Sequence, residues 1–421
     1  MRRALFTFIL VAVLSSFLGH ALGALGADSP TPLLKRGQPV GWWFVYKFNS
    51  GFPGCGGDAS RQCPFGGNVQ PYKAFGQQYV YASSENASLQ KGAGCTGATI
   101  DDPVGATFAQ VYNGPFFYVF WNDQYYGDPR IRYPNCTDQQ CGSPWGHSKG
   151  MLSWNADGEG LVMQVTTPSW PASAAKDFPR KSGNTLGCIT KPNNVVNAQH
   201  FFAVKLTKDD LLKVLAALQN ASVVTKLDEP KIVKNGGPQE VQTLVAGLGK
   251  KSTSIRYTKE RLSEGVELIS KPSDLHAPPW QMVSAVLGGV SLRTATWWAY
   301  PQIPTTSKSR KIGCWDQSLG RPGRVEVATT GVWDSKELSL VGGANHAKLG
   351  VSISGTTPYS IFGDLNQQGA ITGTAKNCMR SQNGRGGLFF VLNNKALHDD
   401  LSDLVDGDTA PTKVPSKPPG K

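Results

Sequence analysis

Short apolar runs separated by Gly-, Asn- and Pro-rich breaks fill the first half of the chain, and this pattern predicts β-strands. The runs are rich in β-branched and aromatic side chains, which is typical of buried strands. Strands are predicted at Trp42–Tyr46, Thr107–Tyr112, Phe116–Phe120, Leu161–Val165 and Phe201–Val204.

The apolar spacing changes after the last of these runs and predicts a helix. Thr207 is a helix-capping residue, acidic residues follow it in the first turn, and leucines and valines then lie on one face up to Gln219. Residues 227–260 are polar and mixed in charge, with Gly236-Gly237-Pro238 among them. That composition indicates a connector or an insertion.

The second half of the chain resumes the alternation of the first. A helix is predicted at Gln281–Leu287, and strands are predicted at Thr294–Tyr300, Arg324–Ala328, Leu338–Val341, Leu349–Ser354 and Gly387–Leu392. We therefore expect a mixed α/β fold of two repeated halves, each a mixed sheet flanked by helices, with the functional site between them.

The first residues have the three-part layout of a secretory signal peptide. Arg2 and Arg3 precede an apolar run at Ala4–Leu18, and small residues follow it. The run is short for a bilayer core of about 30 Å, so cleavage between Ala24 and Asp28 is favoured over a signal anchor. We expect an exported protein, either secreted or periplasmic, or lysosomal if the host is an animal.

These patterns divide the chain into segments. Residues 1–27 form the signal peptide, residues 28–206 the first half, residues 207–260 the helix and polar connector, residues 261–396 the second half, and residues 397–421 a C-terminal segment. The end of that segment, from Asp408, is rich in Pro and Lys and is predicted to be unstructured.

All eight cysteines follow the predicted signal peptide. An even number in an exported chain predicts disulfides rather than reactive thiols. Because eight cysteines allow 105 pairings, only the local pairs Cys55–Cys63 and Cys136–Cys141 are predicted. No Cys-x-x-Cys motif is present and His is scarce near the cysteines, so we expect no zinc site and no cofactor.

The composition narrows the function. Charged residues make up only 17 % of the chain, which excludes a coiled coil. Lys and Arg nevertheless outnumber Asp and Glu by 42 to 30, and this basic balance favours a polyanionic partner.

Two short motifs, one in each half, carry the candidate chemistry. His147-Ser148-Lys149 and His346-Ala347-Lys348 repeat the pattern His-x-Lys in a chain that has only six histidines. Residues two apart in an extended segment project to the same face, so each motif presents an imidazole beside an ammonium group. The alternative is that both motifs are ordinary surface side chains on strands, and the repeat favours a shared site.

Two such pairs in one pocket are suited to phosphodiester hydrolysis. The lysines stabilise the charge that develops on the phosphate oxygens, a neutral histidine attacks phosphorus, and a protonated histidine donates to the leaving oxygen. Neighbouring lysines lower the pKa of a histidine, whereas a bound phosphate raises it, so we expect an acidic optimum.

The motifs and their flanking segments resemble the deoxyribonuclease II family, a branch of the phospholipase D superfamily, over residues 40–394. Besides the two motifs, the likeness lies in Gly41–Lys47, Tyr118–Gln124, Leu186–Thr190 and Gly363–Asn366. The resemblance implies two phospholipase D-like halves. It also implies metal-independent endonucleolytic cleavage of double-stranded DNA by a homodimer, which leaves 3′-phosphate ends.

The resemblance implies residue roles as well. His147 is the implied nucleophile and His346 the implied general acid, with Lys149, Lys348 and Asn366 as phosphate ligands. Thr166, Thr167 and Asn155 are further candidates for phosphate binding.

This sequence departs from the superfamily at one position in each motif. The aspartate expected after each lysine is replaced by Trp154 and Ile353, although Asn155 lies one residue further on. The residue that orients each imidazole must therefore come from elsewhere. The candidates are Glu159, Asp364, Asp123 and backbone carbonyls.

Two other functions stay open. A phospholipase D-type enzyme acting on lipid head groups shares the chemistry but requires an amphipathic surface, for which the helix at Thr207–Gln219 is the sole candidate. A catalytically inactive toxin or adhesin that binds nucleic acid is the other. We expect no stable membrane association, and the lack of a base-reading motif predicts little sequence specificity.

Overall fold

The computed structural model describes residues 29–49, 51–52, 78–97, 99–171, 173–180 and 197–413. The predicted signal peptide, the Cys55–Cys63 pair and the segment Leu186–Thr190 lie outside these residues. The helices are α1 (Pro103–Asn113), α2 (Lys208–Asn220), α3 (Gln239–Ala246), α4 (Pro279–Val286), α5 (Ala375–Cys378) and α6 (Lys395–Leu404).

The strands form two large sheets and one hairpin. Strands of the first half are β1 (Trp42–Lys47), β2 (Tyr79–Ser83), β3 (Gln90–Lys91), β4 (Phe117–Asn122), β5 (Lys149–Trp154), β6 (Gly160–Val165), β7 (Gln199–Leu206) and β8 (Val233–Lys234). Strands of the second half are β9 (Thr258–Arg261), β10 (Glu267–Lys271), β11 (Leu292–Ala295), β12 (Val325–Val327), β13 (Thr330–Trp333), β14 (Lys336–Ser339), β15 (Leu349–Ser352), β16 (Tyr359–Gly363) and β17 (Gly387–Asn393).

Five strands in each sheet follow the same order. The first sheet contains the order β1-β7-β6-β5-β4 and the second contains β10-β17-β16-β15-β11. In each half, a strand (β1 or β10) is followed later along the chain by a helix (α1 or α4) and then by a second strand (β4 or β11). Further along the chain comes a three-stranded antiparallel meander, β5–β7 or β15–β17, and a helix follows it, α2 or α6. The predicted mixed α/β fold of two repeated halves is therefore confirmed.

Aromatic side chains pack the two sheets against each other. Phe44 of β1 and Phe202 of β7 stack on Phe362 of β16, with ring centroids 4.5 and 4.7 Å apart. Successive residues of a strand face opposite sides, so the neighbour Trp43 faces α1, where its indole N–H donates to Thr107 Oγ1. The central strands are therefore buried on both faces, which explains the nearly continuous apolar runs in the sequence.

The strand predicted at Thr107–Tyr112 is wrong, because this segment lies inside α1. Asp102 accepts a hydrogen bond from the Gly105 N–H at 2.8 Å, and Pro103 occupies the first helical position. A short apolar run is compatible with either structure. The capping residue Asp102, which lies upstream of the run, favours the helix.

The strand predicted to begin at Thr294 and the start of the predicted unstructured tail also differ from the prediction. The strand predicted at Thr294–Tyr300 ends at Ala295. Residues 227–260, interpreted as a connector or an insertion, contain β8 and α3. The start of the predicted unstructured tail is ordered, since the Ala410 N–H donates to Val327 O at 2.7 Å. β12 is an edge strand, and its unpaired backbone groups bind this segment.

Two disulfides lie within the described residues. The predicted pair Cys136–Cys141 is confirmed. Cys314–Cys378 joins positions 64 residues apart, and sequence alone offers no basis for that pairing. Among the described residues, no helix has the length and apolar character needed to span a membrane.

The start of α1 gives a stability prediction. Asp102 is buried and accepts backbone N–H groups of Gly97, Thr99 and Gly105. Asp102→Ala leaves these donors without their acceptor and is expected to lower the free energy of unfolding by about 2 kcal/mol or more. Urea denaturation measures the loss. Asp101→Ala, which truncates the exposed neighbouring side chain, is the control, and an equal loss in both variants contradicts the capping role.

Candidate active site between the two halves

A cavity of about 430 Å³ opens between the two halves, and both His-x-Lys motifs line it. His147 and Lys149 come from the first half, and His346 and Lys348 come from the second. Each motif leads into the first strand of its meander, β5 or β15. The repeated fold thus brings together two motifs that are far apart along the chain.

The backbone of each motif is held by the opposite half. The His147 N–H donates to Gly386 O, and the His346 N–H donates to Ala198 O, both at 2.8 Å. Gly386 and Ala198 each stand immediately before the last strand of a meander, β17 or β7. The two contacts therefore correspond, and they fix both histidines against the other half.

Lys149 is paired with a buried carboxylate. Its ammonium lies 2.5 Å from Asp123 Oδ1, and Arg385 donates to Asp123 Oδ2 at 2.9 Å. Burial alone raises the pKa of Asp123, but the charges of Lys149 and Arg385 outweigh it and hold this pKa below its ordinary value. Arg385 also donates to Trp145 O and Gly146 O, so it fixes the chain that leads into the first motif.

A backbone carbonyl orients the ring of His147. Nδ1 lies 2.7 Å from Asp364 O, and because a carbonyl only accepts, Nδ1 carries the proton. Nε2 of the neutral ring then has a free lone pair. Burial lowers the pKa of His147 well below its ordinary value, and the charge of Lys149 lowers it further, so the free site holds this ring neutral.

The side-chain oxygens of Asp364 bind groups other than this histidine. These oxygens accept from Gln164 Nε2 at 3.0 Å and from the Leu388 N–H at 2.9 Å. Burial raises the pKa of Asp364 to about 7. Of the predicted orienting groups, a backbone carbonyl therefore contacts His147, while the Asp123 carboxylate contacts the lysine of the same motif.

The surroundings of His346 differ from those of His147. Its ring packs in an edge-to-face arrangement against Trp297, with centroids 4.4 Å apart, and it makes no side-chain hydrogen bond within the described part of the chain. Burial lowers the pKa of His346 well below its ordinary value, and Lys348, Lys149 and Lys47 add to this effect. Burial also lowers the pKa of Lys348 to about 7.

A third histidine supports the second motif. His200 in β7 is fully buried, and its Nδ1 accepts the backbone N–H of Lys348 at 3.1 Å. Its Nε2 therefore carries the proton and donates to Gln164 Oε1 at 3.2 Å. Gln164 in turn binds Asp364, so one buried polar chain connects the supports of both motifs.

The other predicted phosphate ligands divide into two groups. Thr166 and Asn366 line the cavity, and Asn366 Oδ1 has no hydrogen-bond partner among the described residues. Thr167 is buried outside the cavity wall. Asn155 accepts the Asp157 and Glu159 N–H groups in the β5–β6 turn.

The structure thus does not bring Thr167 or Asn155 to the motifs. Asn155 follows β5 at the end opposite to Lys149, and six extended residues cover about 20 Å. Glu159 lies at the same turn, which also removes it from the groups able to orient either imidazole.

Comparison with known proteins identifies the family. The model of the deoxyribonuclease II family matches residues 31–407. The chain belongs to the deoxyribonuclease II family. The resemblance inferred from the motifs is therefore confirmed.

Individual relatives align with this chain at low identity. Deoxyribonuclease-2-alpha of Bos taurus is 28 % identical over 191 residues, which cover 43 % of this chain and 46 % of the relative. The same protein of Rattus norvegicus is 29 % identical over 193 residues, covering 43 % and 47 %. The chain therefore spans less than half the length of these mammalian relatives. Cell-death-related nuclease 7 of Caenorhabditis elegans is 22 % identical over 378 residues, covering 86 % and 83 %.

Several residues that line or support the site could not be identified from the sequence motifs. Arg385, Gln164 and Trp297 lie outside both His-x-Lys patterns and reach the cavity or its supports only through the fold. His200 offered one signal, since a histidine interrupts the apolar run of β7. Among the described residues, no group of three or more His, Cys, Asp and Glu side chains is placed to hold a metal ion.

The charge of Asp123 gives a prediction for His147. Asp123 raises the pKa of His147 against the lowering by burial and Lys149. Asp123→Asn is therefore expected to lower the pKa of His147 further, so that its ring becomes protonated only at a more acidic pH. Titration of the ring Cε1–H signal by NMR measures the shift. Glu159→Gln, at the exposed turn, is the matched control and should leave the titration unchanged, whereas a raised His147 pKa in Asp123→Asn contradicts the assignment.

Proposed function

We propose that the protein is an acid endonuclease that hydrolyses DNA phosphodiester bonds without a metal, through a phosphohistidine intermediate, and leaves 3′-phosphate ends. The observation that carries this proposal is the convergence of two His-x-Lys pairs on one cavity of a single chain. The relatives are themselves named as a deoxyribonuclease and a nuclease, which supports DNA as the substrate.

The surroundings of the two histidines favour His147 as the nucleophile. Its Nδ1–H is fixed on Asp364 O, so Nε2 presents a lone pair to the cavity. Nε2 attacks phosphorus as the bond from phosphorus to the 5′-oxygen breaks. The fragment of the cut DNA strand that ends in this 5′-oxygen leaves. The other fragment of the same strand stays bound to His147 through its 3′-phosphate.

His346 is suited to proton transfer because its ring is not fixed by a hydrogen bond to the described residues. In its protonated form it donates to the departing 5′-oxygen. In the second step, now neutral, it takes a proton from water as the water oxygen attacks phosphorus and the bond from phosphorus to His147 breaks. Both histidines return to their starting states.

The lysines and Asn366 stabilise the phosphate during both steps. Lys149 and Lys348 line the cavity from opposite halves, so they face the non-bridging oxygens from two sides. Positive charge placed before the reaction stabilises the negative charge that grows on these oxygens. Asn366 lines the same cavity, and its side-chain amide adds an N–H donor that binds phosphate.

A basic groove supports binding of a long polyanion. Arg130, Arg132, Lys226 and Lys250 line a groove of about 520 Å³. It lies close to the first motif, because Tyr133 in its wall stacks on Trp145 at 4.5 Å. Basic side chains spaced beyond the cut site bind phosphates irrespective of base, in keeping with low sequence specificity.

We also propose a homodimer that clamps double-stranded DNA, and an exported location, either secreted, periplasmic or lysosomal. Disulfides such as Cys314–Cys378 persist in oxidising compartments and support export. The cavity contains both motifs of one chain, so the second subunit serves DNA binding rather than completion of the catalytic set.

Nicking of plasmid DNA in EDTA tests the proposal. We expect chelator-resistant nicking at acidic pH, and we expect His147→Ala and His346→Ala each to lower the rate about a thousandfold. His398→Ala, which changes a histidine of α6 outside the cavity, is the control. Hydrolysis of phosphatidylcholine without nicking supports the lipid hydrolase instead, and binding of DNA without either reaction supports the inactive protein.

The pH profile gives a second prediction. The pKa values of His147 and His346 are both lowered, so each ring takes up a proton only below the ordinary pKa of histidine. In that pH range, protonation of His346 provides the general acid, and protonation of His147 removes the nucleophile. We therefore expect kcat/KM to rise as the pH falls below about 6.5, and to decline again at lower pH. Quenching in an alkaline denaturant, in which the N–P bond of phosphohistidine survives, followed by peptide mapping at alkaline pH, should locate the phosphoryl group on His147. A profile that rises towards neutral pH contradicts the assignment.

A further inference from the structure

Two lysines are fully buried outside the cavity wall. Lys47 is the last residue of β1 and Lys271 is the last residue of β10, and neither side chain is exposed to solvent. β1 and β10 occupy the same place in the two repeated sheets. An ammonium group removed from water is costly unless hydrogen bonds replace its hydration.

Lys271 binds three main-chain carbonyls of its own half. Its Nζ donates to Pro272 O at 3.2 Å, to Asn383 O at 2.8 Å and to Arg385 O at 3.0 Å. The three N–H groups of the ammonium therefore each have an acceptor. The residue after Arg385 is Gly386, whose carbonyl accepts the His147 N–H.

Lys47 makes the corresponding contacts in the first half. Its Nζ donates to Phe48 O at 3.1 Å and to Asn197 O at 2.8 Å. The residue after Asn197 is Ala198, whose carbonyl accepts the His346 N–H. In both halves, the buried lysine thus binds the carbonyl of one residue, and the carbonyl of the next residue accepts the backbone N–H of the histidine in the opposite half.

The direction of successive carbonyls explains why a donor is needed there. In an extended segment, neighbouring carbonyls point to opposite sides of the chain. Since Ala198 O and Gly386 O point across to the other half, Asn197 O and Arg385 O point back into their own half. A buried carbonyl without a donor is destabilising, and in each half a lysine supplies that donor.

We propose that Lys47 and Lys271 are positioning residues that hold the catalytic histidine of the opposite half, Lys271 acting on His147 and Lys47 acting on His346. Each lysine fixes the strand-end segment whose next carbonyl binds the backbone of that histidine. Burial lowers the pKa of both lysines to about 7, so both carry three N–H groups at acidic pH. The catalytic consequence rests on the proposed function, whereas the positional claim does not.

Amide hydrogen exchange tests the positional claim without any assay of activity. Lys271→Met removes the three donors while keeping an unbranched side chain. We expect exchange of the His147 backbone N–H to become about tenfold faster or more, with the His346 N–H little changed. Lys47→Met should give the reverse pattern. NMR on protein labelled with ¹⁵N-histidine resolves the two amides, and Lys205→Met, at an exposed position of β7, should change neither.

Two outcomes overturn the proposal. Equal acceleration of both amides in both variants shows that the lysines support only the fold as a whole. Unchanged exchange shows that the carbonyls are held by other contacts. If a methionine variant does not fold, Lys271→Gln and Lys47→Gln keep two N–H groups, and they should show the same crossed pattern with a smaller acceleration.

Kinetics with two leaving groups test the catalytic consequence. A p-nitrophenyl ester of thymidine 3′-phosphate needs little proton donation, whereas a dinucleotide needs full donation. Loss of the nucleophile slows hydrolysis of both substrates, so Lys271→Met and His147→Gln should each slow both. Loss of the general acid slows mainly the dinucleotide, so Lys47→Met and His346→Gln should each slow mainly the dinucleotide. A common dependence in both lysine variants contradicts the crossed assignment. A wild-type protein that does not nick plasmid DNA refutes the proposed function and leaves the exchange experiment decisive for the lysines.

Discussion

The candidate site depends on a backbone hydrogen bond that the fold makes twice, once from each half to the histidine of the other. The aromatic packing of Phe44, Phe202 and Phe362 holds the sheets together, but apolar contact is not directional and does not set a register. The bonds from the His147 and His346 N–H groups are directional. They therefore determine that the two imidazoles meet at one cavity, and the repeat of the fold makes both contacts alike.

The same convergence concentrates positive charge in a buried space. Two lysines, two histidines and Arg385 line the cavity, and among the residues in its wall Asp123 is the only carboxylate. The structure limits the charge by lowering the pKa of both histidines and of Lys348. An anionic phosphate in the cavity reverses this effect, so binding of such an anion and uptake of a proton by a histidine favour each other.

The sequence predicted the parts of the structure that local patterns specify. The buried strands, α2, the local disulfide Cys136–Cys141 and the repeated motifs all carry local signals, whereas α1 was misread because its cap lies upstream of the apolar run. Arg385 and Gln164 could not be predicted as supports, since Trp145 and Asp364, which they bind, lie more than a hundred residues away along the chain. Asn155 was misplaced because superfamily spacing was applied to a strand that carries it away from the cavity.

The absence of the superfamily aspartate has a chemical consequence for the two motifs. A carboxylate behind an imidazole stabilises its protonated form, whereas a neutral carbonyl fixes the tautomer and adds little charge stabilisation. Asp364 O therefore holds His147 in place while leaving it neutral, which is the state a nucleophile requires. The one carboxylate in the wall, Asp123, pairs with Lys149 and Arg385 instead, and it keeps the ammonium group of Lys149 ordered. The departure from the superfamily pattern thus leaves His147 oriented by a neutral carbonyl, while the carboxylate of the first motif's surroundings pairs with its lysine.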